Sequence, residues 1–250
     1  SPRFMLLTDK VALIVGARRM GDAVARALAS RGADVALTYR GSADAATAAA
    51  DAVLALGRRS MVWPCDITDA DAVQVMVDQV ATRMGRLDVL VTMASRYDHV
   101  PFDELTVDVL DQQLDVDLRG TFLCMRACVP HMRAAGGGRM ITFSDWTAAA
   151  GRPRYTGFTG YYVAKAGVKA LTEAVALELA PDNILVNAIA PGPILAPEAY
   201  SAEARQRVED ATPLGRWGGA DEVAKTVIAL VDSDFITGET IRVDGGRHLR

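Results

Sequence analysis

Two adjacent tyrosines, Tyr161 and Tyr162, precede Lys165 in the segment YYVAKAG. A tyrosine ionises near pH 10, but a lysine cation within about 5 Å favours the phenolate and lowers that pKa towards neutrality. Residues four apart share one helix face, so Tyr161 and Lys165 would point at one site. Tyr162 would point about 100° away and serve as a packing residue. The spacing predicts a tyrosine acid assisted by lysine, if the surrounding elements build a site there.

The elements around this pair alternate in type along the chain. Short β-branched strand-like runs occur at 10–15, 34–39, 184–190 and 239–244, and in SMVWP, LDVLVT and RMITFS. Amphipathic helical stretches separate them, including 21–32 and 161–180. Continuous apolar strands indicate a sheet buried on both faces. The pattern predicts one α/β domain over residues 1–250, a doubly wound parallel sheet of about seven strands with helices on both faces.

Composition narrows the class of partner. Half of the 250 residues are apolar and the net charge is −4, with no basic run longer than arginine pairs, which argues against nucleic acid. The N-terminal segment SPRFMLL has four consecutive apolar residues, too few for a signal peptide, and no apolar run approaches the roughly 20 residues of a membrane span. Cys65, Cys124 and Cys128 lack metal-ligand spacing and are interpreted as core residues. We expect a cytoplasmic protein with reduced thiols, no metal site and a small-molecule substrate.

The turn after the first strand reads VGARRMG and is expected to bind phosphate. Gly16 permits a tight turn, and Gly21 opens a helix whose N-terminal amides attract an anion. Arg18, Arg19 and Met20 lie between them, and the arginines add cationic donors. Because the turn directly follows the first strand, it predicts a dinucleotide site; a solvated basic loop is the alternative.

The end of the second strand indicates which nicotinamide cofactor binds. An acidic residue there would accept a hydrogen bond from the ribose 2′-hydroxyl and repel a 2′-phosphate. Here the segment is Tyr39-Arg40-Gly41-Ser42, with arginine at that place. A guanidinium binds phosphate in a forked arrangement and Ser42 adds a donor, so NADP(H) is predicted over NAD(H).

Together with Tyr161-x-x-x-Lys165, these features resemble the classical short-chain dehydrogenase/reductase family from Lys10 to Gly246. Further similar segments are CDITD, NILVNAIAPGPI and ITGETIRVDGG. The resemblance implies a Rossmann fold, a ribose contact for Lys165 and a homotetramer formed through helices at about 103–135 and 161–180 and the C-terminal strand. It also implies that cofactor contacts come from Asp66, Ile67, Ala94, Ser95, Pro191, Gly192 and Ile194.

Several positions depart from the family pattern. The first turn is one residue shorter, with Val15 for the usual threonine and Arg19 for a glycine, and the usual N-N-A-G is TMAS. Asp117 replaces an asparagine. Alignment puts Asp145 where the catalytic serine normally stands, with Ser144 as the fallback. Arg19 and Asp145 are similar to the pteridine reductase branch.

Asp145 bears on the substrate class. An ionised carboxylate would oppose a developing alkoxide but would stabilise a protonated imine or pteridine. Alternatively, burial keeps Asp145 protonated and it donates a hydrogen bond. Asp117 would place a second carboxylate near Lys165, either catalytic or structural. The substrate pocket is expected to draw on the segment 195–217 and on Arg96, Tyr97, Trp146, Tyr155, Tyr200 and Trp217.

These features predict an NADP(H)-dependent oxidoreductase that transfers hydride to a small substrate, with Tyr161 as proton donor. The preferred substrate is a C=N bond in a pteridine-like or cyclic imine compound. The first alternative is a carbonyl reductase, such as a 3-oxoacyl or polyketide ketoreductase. The second is a sensor that binds NADP(H) without turnover.

Overall fold

A computed structural model describes residues 5–250 of the chain. Residues 1–4 lie outside the described residues, and with them part of the N-terminal segment for which no signal peptide was predicted. Within residues 5–250, no helix is long and apolar enough to cross a membrane.

Seven parallel strands form one sheet in the order β3-β2-β1-β4-β5-β6-β7. The strands are β1 (Val11–Val15), β2 (Asp34–Tyr39), β3 (Ser60–Pro64), β4 (Val89–Thr92), β5 (Gly138–Phe143), β6 (Ile184–Pro191) and β7 (Thr240–Val243). Every residue of β1, β4 and β5 is buried, as the continuous apolar runs predict. The predicted fold class is confirmed.

Helices cover both faces of this sheet. They are α1 (Gly21–Ser30), α2 (Asp44–Ala55), α3 (Ala70–Met84), α4 (Val107–Leu114), α5 (Gly120–Ala135), α6 (Trp146–Ala149), α7 (Thr159–Leu179), α8 (Ala202–Asp210) and α9 (Ala220–Asp232). A π-helical turn, Asp115–Arg119, joins α4 to α5, and short 3₁₀ turns occur at Phe102–Glu104, Ala180–Asp182 and Arg247–Leu249.

The core consists of two apolar layers, one on each face of the sheet. On one face, α1, α2 and α9 contribute residues such as Leu28, Val53 and Val227. On the other face, α3, α5 and α7 contribute residues such as Met76 and Leu179. Cys65, Cys124 and Cys128 are free thiols buried in this second layer, so their interpretation as core residues is confirmed.

The strand order fixes where a ligand can bind. β1 lies between β2 and β4, so the connections on its two sides run in opposite directions. At such a switch point the loops after the strands separate and leave a crevice at the carboxyl ends. The segments that follow β1, β2, β4 and β5 meet at this edge, and all of the predicted cofactor and catalytic segments either lie there or pack beside it.

Candidate active site

Tyr161 and Lys165 lie on one face of α7, as their spacing predicts. The Nζ atom of Lys165 lies 5.7 Å from the centroid of the Tyr161 ring. Lys165 is only 3% exposed, and its Nζ donates a hydrogen bond to the carbonyl oxygen of Phe143 at 2.9 Å. Phe143 is the last residue of β5, so this hydrogen bond holds the lysine at the carboxyl edge of the sheet. Tyr162 is half-buried and follows Tyr161 on an adjacent face of the helix.

Asp117 is the second anchor of Lys165. Its Oδ1 atom lies 3.0 Å from Lys165 Nζ, and its side chain is completely buried. The Ser95 hydroxyl also donates to Oδ1, while the backbone N–H of Arg96 (3.0 Å) and the Gln113 amide (2.6 Å) donate to Oδ2. These donors and Lys165 together occupy both oxygens of the Asp117 carboxyl group. The predicted proximity of Asp117 to Lys165 is therefore present as a buried ion pair.

The π-helical turn places Asp117 at this position. Asp115–Arg119 inserts one extra residue per turn between α4 and α5, a feature that often marks functional sites in helices. The buried Gln113 lies four residues before Asp117 and also donates to the carbonyl oxygen of Arg96 at 3.0 Å. Sequence reasoning missed Gln113. The i, i+4 spacing to Asp117 is the signal that would have found it.

Asp145, and not Ser144, faces the tyrosine. The Tyr161 hydroxyl donates to Asp145 Oδ2 at 3.3 Å. The other oxygen, Oδ1, caps the short helix α6 by accepting from the Thr147 N–H at 2.8 Å and from the Thr147 hydroxyl. Ser144 is buried, and its hydroxyl donates to the carbonyl oxygen of Lys165 at 2.9 Å. The serine hydroxyl is therefore engaged in joining β5 to α7.

The charge distribution corrects one expectation from the sequence. Lys165 was expected to lower the pKa of Tyr161, yet burial raises that pKa well above its ordinary value, and the carboxylates of Asp145 and Asp117 raise it further. The positive charge of Lys165 is compensated by Asp117 at 3.0 Å, so little of it reaches the phenol. Tyr161 consequently holds its proton at neutral pH.

Burial acts on Asp145 in the same direction. It raises the pKa of the carboxyl above its ordinary value, against the opposing effect of the Thr147 donors and the charge of Lys165. A raised pKa favours the protonated acid, which is a neutral hydrogen-bond donor. Burial therefore shifts Asp145 towards the protonated state, while the hydrogen bonds that it accepts from Thr147 and Tyr161 shift it towards the anion.

The turn after β1 has the features of an anion site. Gly16 has φ +89°, and a Cβ there would lie 2.5 Å from the backbone nitrogen of Ala94, so only glycine fits. Helix α1 begins at Gly21 without a side-chain cap, which leaves amides of its first turn available to an anion. Arg18 is exposed, whereas Arg19, at φ +70°, donates to the carbonyl oxygen of Leu195 at 2.8 Å. Through this bond Arg19 links the turn to the segment 195–217. Met20, the last residue before α1, is half-buried.

The end of β2 presents a guanidinium to solvent. Arg40 follows Tyr39, and its side chain is 65% exposed, with Nε 3.5 Å from Asp66 Oδ2. Asp66 in turn accepts from the N–H and hydroxyl of Thr68, and the N–H bond is the main cause that lowers its pKa. Gly41 and Ser42 next to Arg40 are also exposed. This edge can therefore accept a phosphate without first breaking a buried contact.

The remaining predicted cofactor residues lie around the same crevice. Ser95 is tied to Asp117, Ile67 is buried beside Gly120, and Ala94 packs against Gly16. At the end of β6, Pro191 pairs with Val243 of β7. In the loop that follows, the Gly192 N–H donates to the carbonyl oxygen of Val243 at 2.9 Å, and Ile194 is buried in the core. These contacts fix the loop that leads into the segment 195–217.

Aromatic rings form a continuous row beside the proton donor. The Tyr97 ring lies edge-on to Tyr161 at 4.8 Å and stacks on Phe158 at 4.6 Å. Phe158 contacts Tyr155 at 6.4 Å, and Tyr155 contacts Trp146 at 6.3 Å. The row runs from the proton donor Tyr161 to Trp146, the residue that follows Asp145 in the chain. Phe158 was not predicted from the sequence.

The other predicted pocket residues divide into two groups. Tyr200 and Trp217 contact each other edge-on at 6.4 Å, within the segment 195–217 that also holds α8. The Arg96 guanidinium turns instead to Asp98 and Gln112, at 2.6 Å and 3.0 Å, so it is the backbone of Arg96 that contributes to the site. Among residues 5–250, no group of His, Cys, Asp and Glu could hold a metal ion.

Comparison with known proteins adds a family context to this geometry. A sequence profile described as enoyl-(acyl carrier protein) reductase matches residues 16–248. The chain is 36% identical to the 3-oxoacyl-(acyl-carrier-protein) reductase FabG of Staphylococcus aureus over 249 residues, which covers 96% of this chain and 98% of that protein.

Solved structures give the same picture. A short-chain dehydrogenase/reductase from Serratia marcescens superposes with a TM-score of 0.90 at 34% identity, covering 97% of this chain and 99% of that one. A short-chain dehydrogenase from Burkholderia cenocepacia, solved in complex with NADP, superposes with a TM-score of 0.89 at 34% identity and the same coverage.

Proposed function

Because the chain belongs to the short-chain dehydrogenase/reductase family of oxidoreductases, we propose that it reduces the carbonyl group of a small molecule with NADPH. The observation that carries this proposal is the contact between Tyr161 Oη and Asp145 Oδ2 at 3.3 Å, beside the buried Lys165–Asp117 pair. It presents a protonated phenol next to a second acidic group.

The residues present fit NADP(H). Arg40 supplies a solvent-facing guanidinium at the end of β2, where a 2′-phosphate would be recognised. Gly16 and the uncapped start of α1 suit a pyrophosphate, and Lys165 is proposed to hold the nicotinamide ribose. The similar Burkholderia protein was solved with NADP, which supports this choice.

Tyr161 acts as the proton donor. NADPH supplies the hydride when bound, and the oxygen of the substrate must then receive a proton. The raised pKa of Tyr161 keeps the phenol protonated at neutral pH, so its proton is available for that oxygen.

Asp145 takes the place of a neutral hydrogen-bond donor. Its protonated carboxyl would donate to the developing oxyanion, as a serine hydroxyl would. Burial raises the pKa of Asp145 and supports this state. The sequence favoured a C=N substrate over a carbonyl substrate. We now place the carbonyl substrate first and the C=N substrate second. The name of the Staphylococcus relative, a 3-oxoacyl reductase, agrees with a carbonyl substrate.

A C=N substrate is the second candidate. Two acidic residues lie close to the proton donor: Asp117 pairs with the buried Lys165, and Asp145 accepts from Tyr161. If Asp145 ionises when substrate binds, this arrangement stabilises a protonated imine or pteridine more than an alkoxide. Arg19 and Asp145 resemble the residues of the pteridine reductase branch at these positions, and this resemblance supports the same candidate.

The test is a substrate panel. The protein is mixed with NADPH or NADH and with ketones, 3-oxoacyl thioesters, cyclic imines and pterins, and loss of nicotinamide absorbance is followed. Ketone or 3-oxoacyl reduction with NADPH supports the proposal. Reduction confined to imines or pterins moves the second candidate to first place, and NADPH binding without turnover of any member favours a sensor.

The proposal also covers the domain organisation, the cellular location and the assembly of the chain. The chain is proposed to form one domain over residues 1–250 and to function in the cytoplasm. It is also proposed to assemble as a homotetramer through α4, α5, α7 and the C-terminal strand β7; the exposed apolar residues Phe122 of α5 and Leu177 of α7 support this. Light scattering after size-exclusion chromatography measures the assembly directly.

A further inference from the structure

The aromatic row beside the proton donor ends at two arginines. The guanidinium carbon of Arg247 lies 5.5 Å from the centroid of the Trp146 ring, and that of Arg154 lies 5.7 Å from the same centroid. Both distances are within the range of a cation–π contact. Trp146 follows Asp145 directly along the chain, so both arginines contact a ring one residue from the carboxyl group that accepts from Tyr161.

Neither arginine is neutralised within the described part of the chain. Arg247 donates to neutral acceptors, namely the carbonyl oxygen of Val208 at 2.8 Å, the Thr212 hydroxyl at 3.2 Å and the Tyr155 hydroxyl at 3.4 Å. Those bonds orient the guanidinium but leave its charge uncompensated. Arg154 is exposed and makes neither a hydrogen bond nor an ion pair with residues 5–250.

The surroundings strengthen the local positive charge. Two further arginines on this edge, Arg152 and Arg242, donate to the backbone carbonyls of His248 and Ala149, and neither has a carboxylate partner among residues 5–250. The carboxylate of Asp244 is taken by His248 and by the N–H of Gly246. In a chain with a net charge of −4, this is a local concentration of unpaired cations.

We propose that Arg154 and Arg247 bind an anionic substituent of the substrate, so that the enzyme selects carbonyl compounds that carry a carboxylate or a phosphate. This inference rests on the proposed function and specifies its substrate class. A guanidinium binds either anion through paired N–H donors, and Trp146 and Tyr155 shield the contact on one side. In this arrangement the carbonyl group of the substrate lies at Tyr161 and its anionic group at the arginines.

Matched ketones test the proposal. For 4-oxocyclohexanecarboxylate against 4-oxocyclohexanecarboxamide, kcat/KM is expected to favour the carboxylate by about tenfold or more, mainly through KM. Dihydroxyacetone phosphate against dihydroxyacetone gives the same comparison for a phosphate. A preference for either anionic member supports the site and identifies the anion that it accepts.

Arg154→Gln is the informative variant, because Arg154 makes no hydrogen bond or ion pair with residues 5–250 and contacts only the Trp146 ring through its guanidinium. It should lower kcat/KM for the anionic ketone about tenfold and change the neutral ketone by less than about twofold. Arg83→Gln is the matched control, since Arg83 is an exposed arginine on α3 that lies over the ring of Trp63 at 5.0 Å. Arg247→Gln should have the same selective effect, and Arg154→Gln preserves the test if that variant loosens α8.

Two results would overturn the inference: equal kcat/KM for charged and neutral ketones in the parent enzyme, or an equal loss for both in Arg154→Gln. A failure of the proposed function is separable from these. If neither ketone is reduced, calorimetric titration with cyclohexanecarboxylate and cyclohexanecarboxamide still reports on the site. Binding of the carboxylate that weakens in Arg154→Gln supports the anion site, whereas equal affinity for both compounds contradicts it.

Discussion

Lys165 and Asp117 form a buried ion pair, with 3.0 Å between Nζ and Oδ1. The Asp117 side chain is completely inaccessible, and that of Lys165 nearly so. Taking two charges out of water is costly, and only additional hydrogen bonds make such a pair tolerable. Here Ser95, Arg96 and Gln113 supply them on Asp117, and the Phe143 carbonyl supplies one on Lys165. The pair fixes the lysine next to the proton donor while cancelling most of its charge.

The first prediction concerns this pair and pH. In Asp117→Asn a negative charge that raises the pKa of Tyr161 is removed, so that pKa should fall. Reduction requires the protonated phenol, so the rate declines as pH rises through the pKa of Tyr161. The decline in kcat/KM should therefore begin at lower pH in the variant than in the parent. Superimposable pH profiles would show that Asp117 does not act on Tyr161.

The same variant should also lower stability. The amide NH₂ of an introduced asparagine would face donors that now bond to the carboxylate, such as Lys165 or the N–H of Arg96. An unsatisfied buried donor costs about 1–3 kcal/mol. Thermal or urea unfolding of parent and variant measures this loss. Asp115→Asn, two residues away on the half-exposed side of the turn, is the matched control and should change stability much less.

The second prediction separates the two tyrosines. Tyr161→Phe removes the proton donor and should lower kcat by about 10² to 10⁴ with NADPH affinity retained. Tyr162→Phe keeps that donor and should be far milder. Steady-state kinetics and cofactor titration of both variants decide the matter. Greater damage from Tyr162→Phe would contradict the assignment of the donor.

The third prediction concerns cofactor choice. Arg40→Asp removes a guanidinium proposed to bind the 2′-phosphate and adds a like charge beside Asp66. A lost charged hydrogen bond of about 2 kcal/mol corresponds to roughly thirtyfold weaker NADPH binding. NADH binding should change little. Fluorescence titration with both cofactors measures this, with Arg126→Asp as a remote control; tighter binding of NADH than NADPH by the parent would refute the NADP(H) assignment.

The fourth prediction distinguishes the two states of Asp145. Asp145→Asn and Asp145→Ser keep a neutral donor, so ketone reduction should persist if the carboxyl acts in its protonated form. If it acts as an anion, Asp145→Asn should cost imine or pterin reduction more, because a charge about 4 Å away is worth about 4 kcal/mol at an effective dielectric of 20. Even a quarter of that value shifts the ratio of kcat/KM severalfold.

The ratio of ketone to imine reduction in parent, Asp145→Asn and Asp145→Ser is the measurement. Ser144→Ala is the matched control, because the Ser144 hydroxyl is bonded to the Lys165 carbonyl and should leave the ratio unchanged. An unchanged ratio in all of the Asp145 variants, with activity retained, would make Asp145 a bystander. A change in Ser144→Ala alone would return the catalytic role to the serine.

The amino-acid sequence by itself determined the architecture of the domain. It also determined that Tyr161 and Lys165 share one face of a helix. Alternating apolar runs and amphipathic stretches specify a buried parallel sheet because backbone periods of two and 3.6 residues decide locally which side chains share a face. The glycine at position 16 and the pair four residues apart on α7 are local features of the same kind. Each was therefore predictable without the fold.

Only the tertiary structure decided how the site is charged. Asp117 approaches Lys165 from an element 48 positions earlier in the chain, and Gln113, Ser95 and the Phe143 carbonyl complete the network through contacts that no local pattern encodes. The direction of the Tyr161 pKa shift also reversed the expectation, because burial and Asp145 outweigh a lysine whose charge Asp117 already balances. Desolvation and pairing depend on what the folded chain packs around a group, and spacing along the sequence carries no record of either.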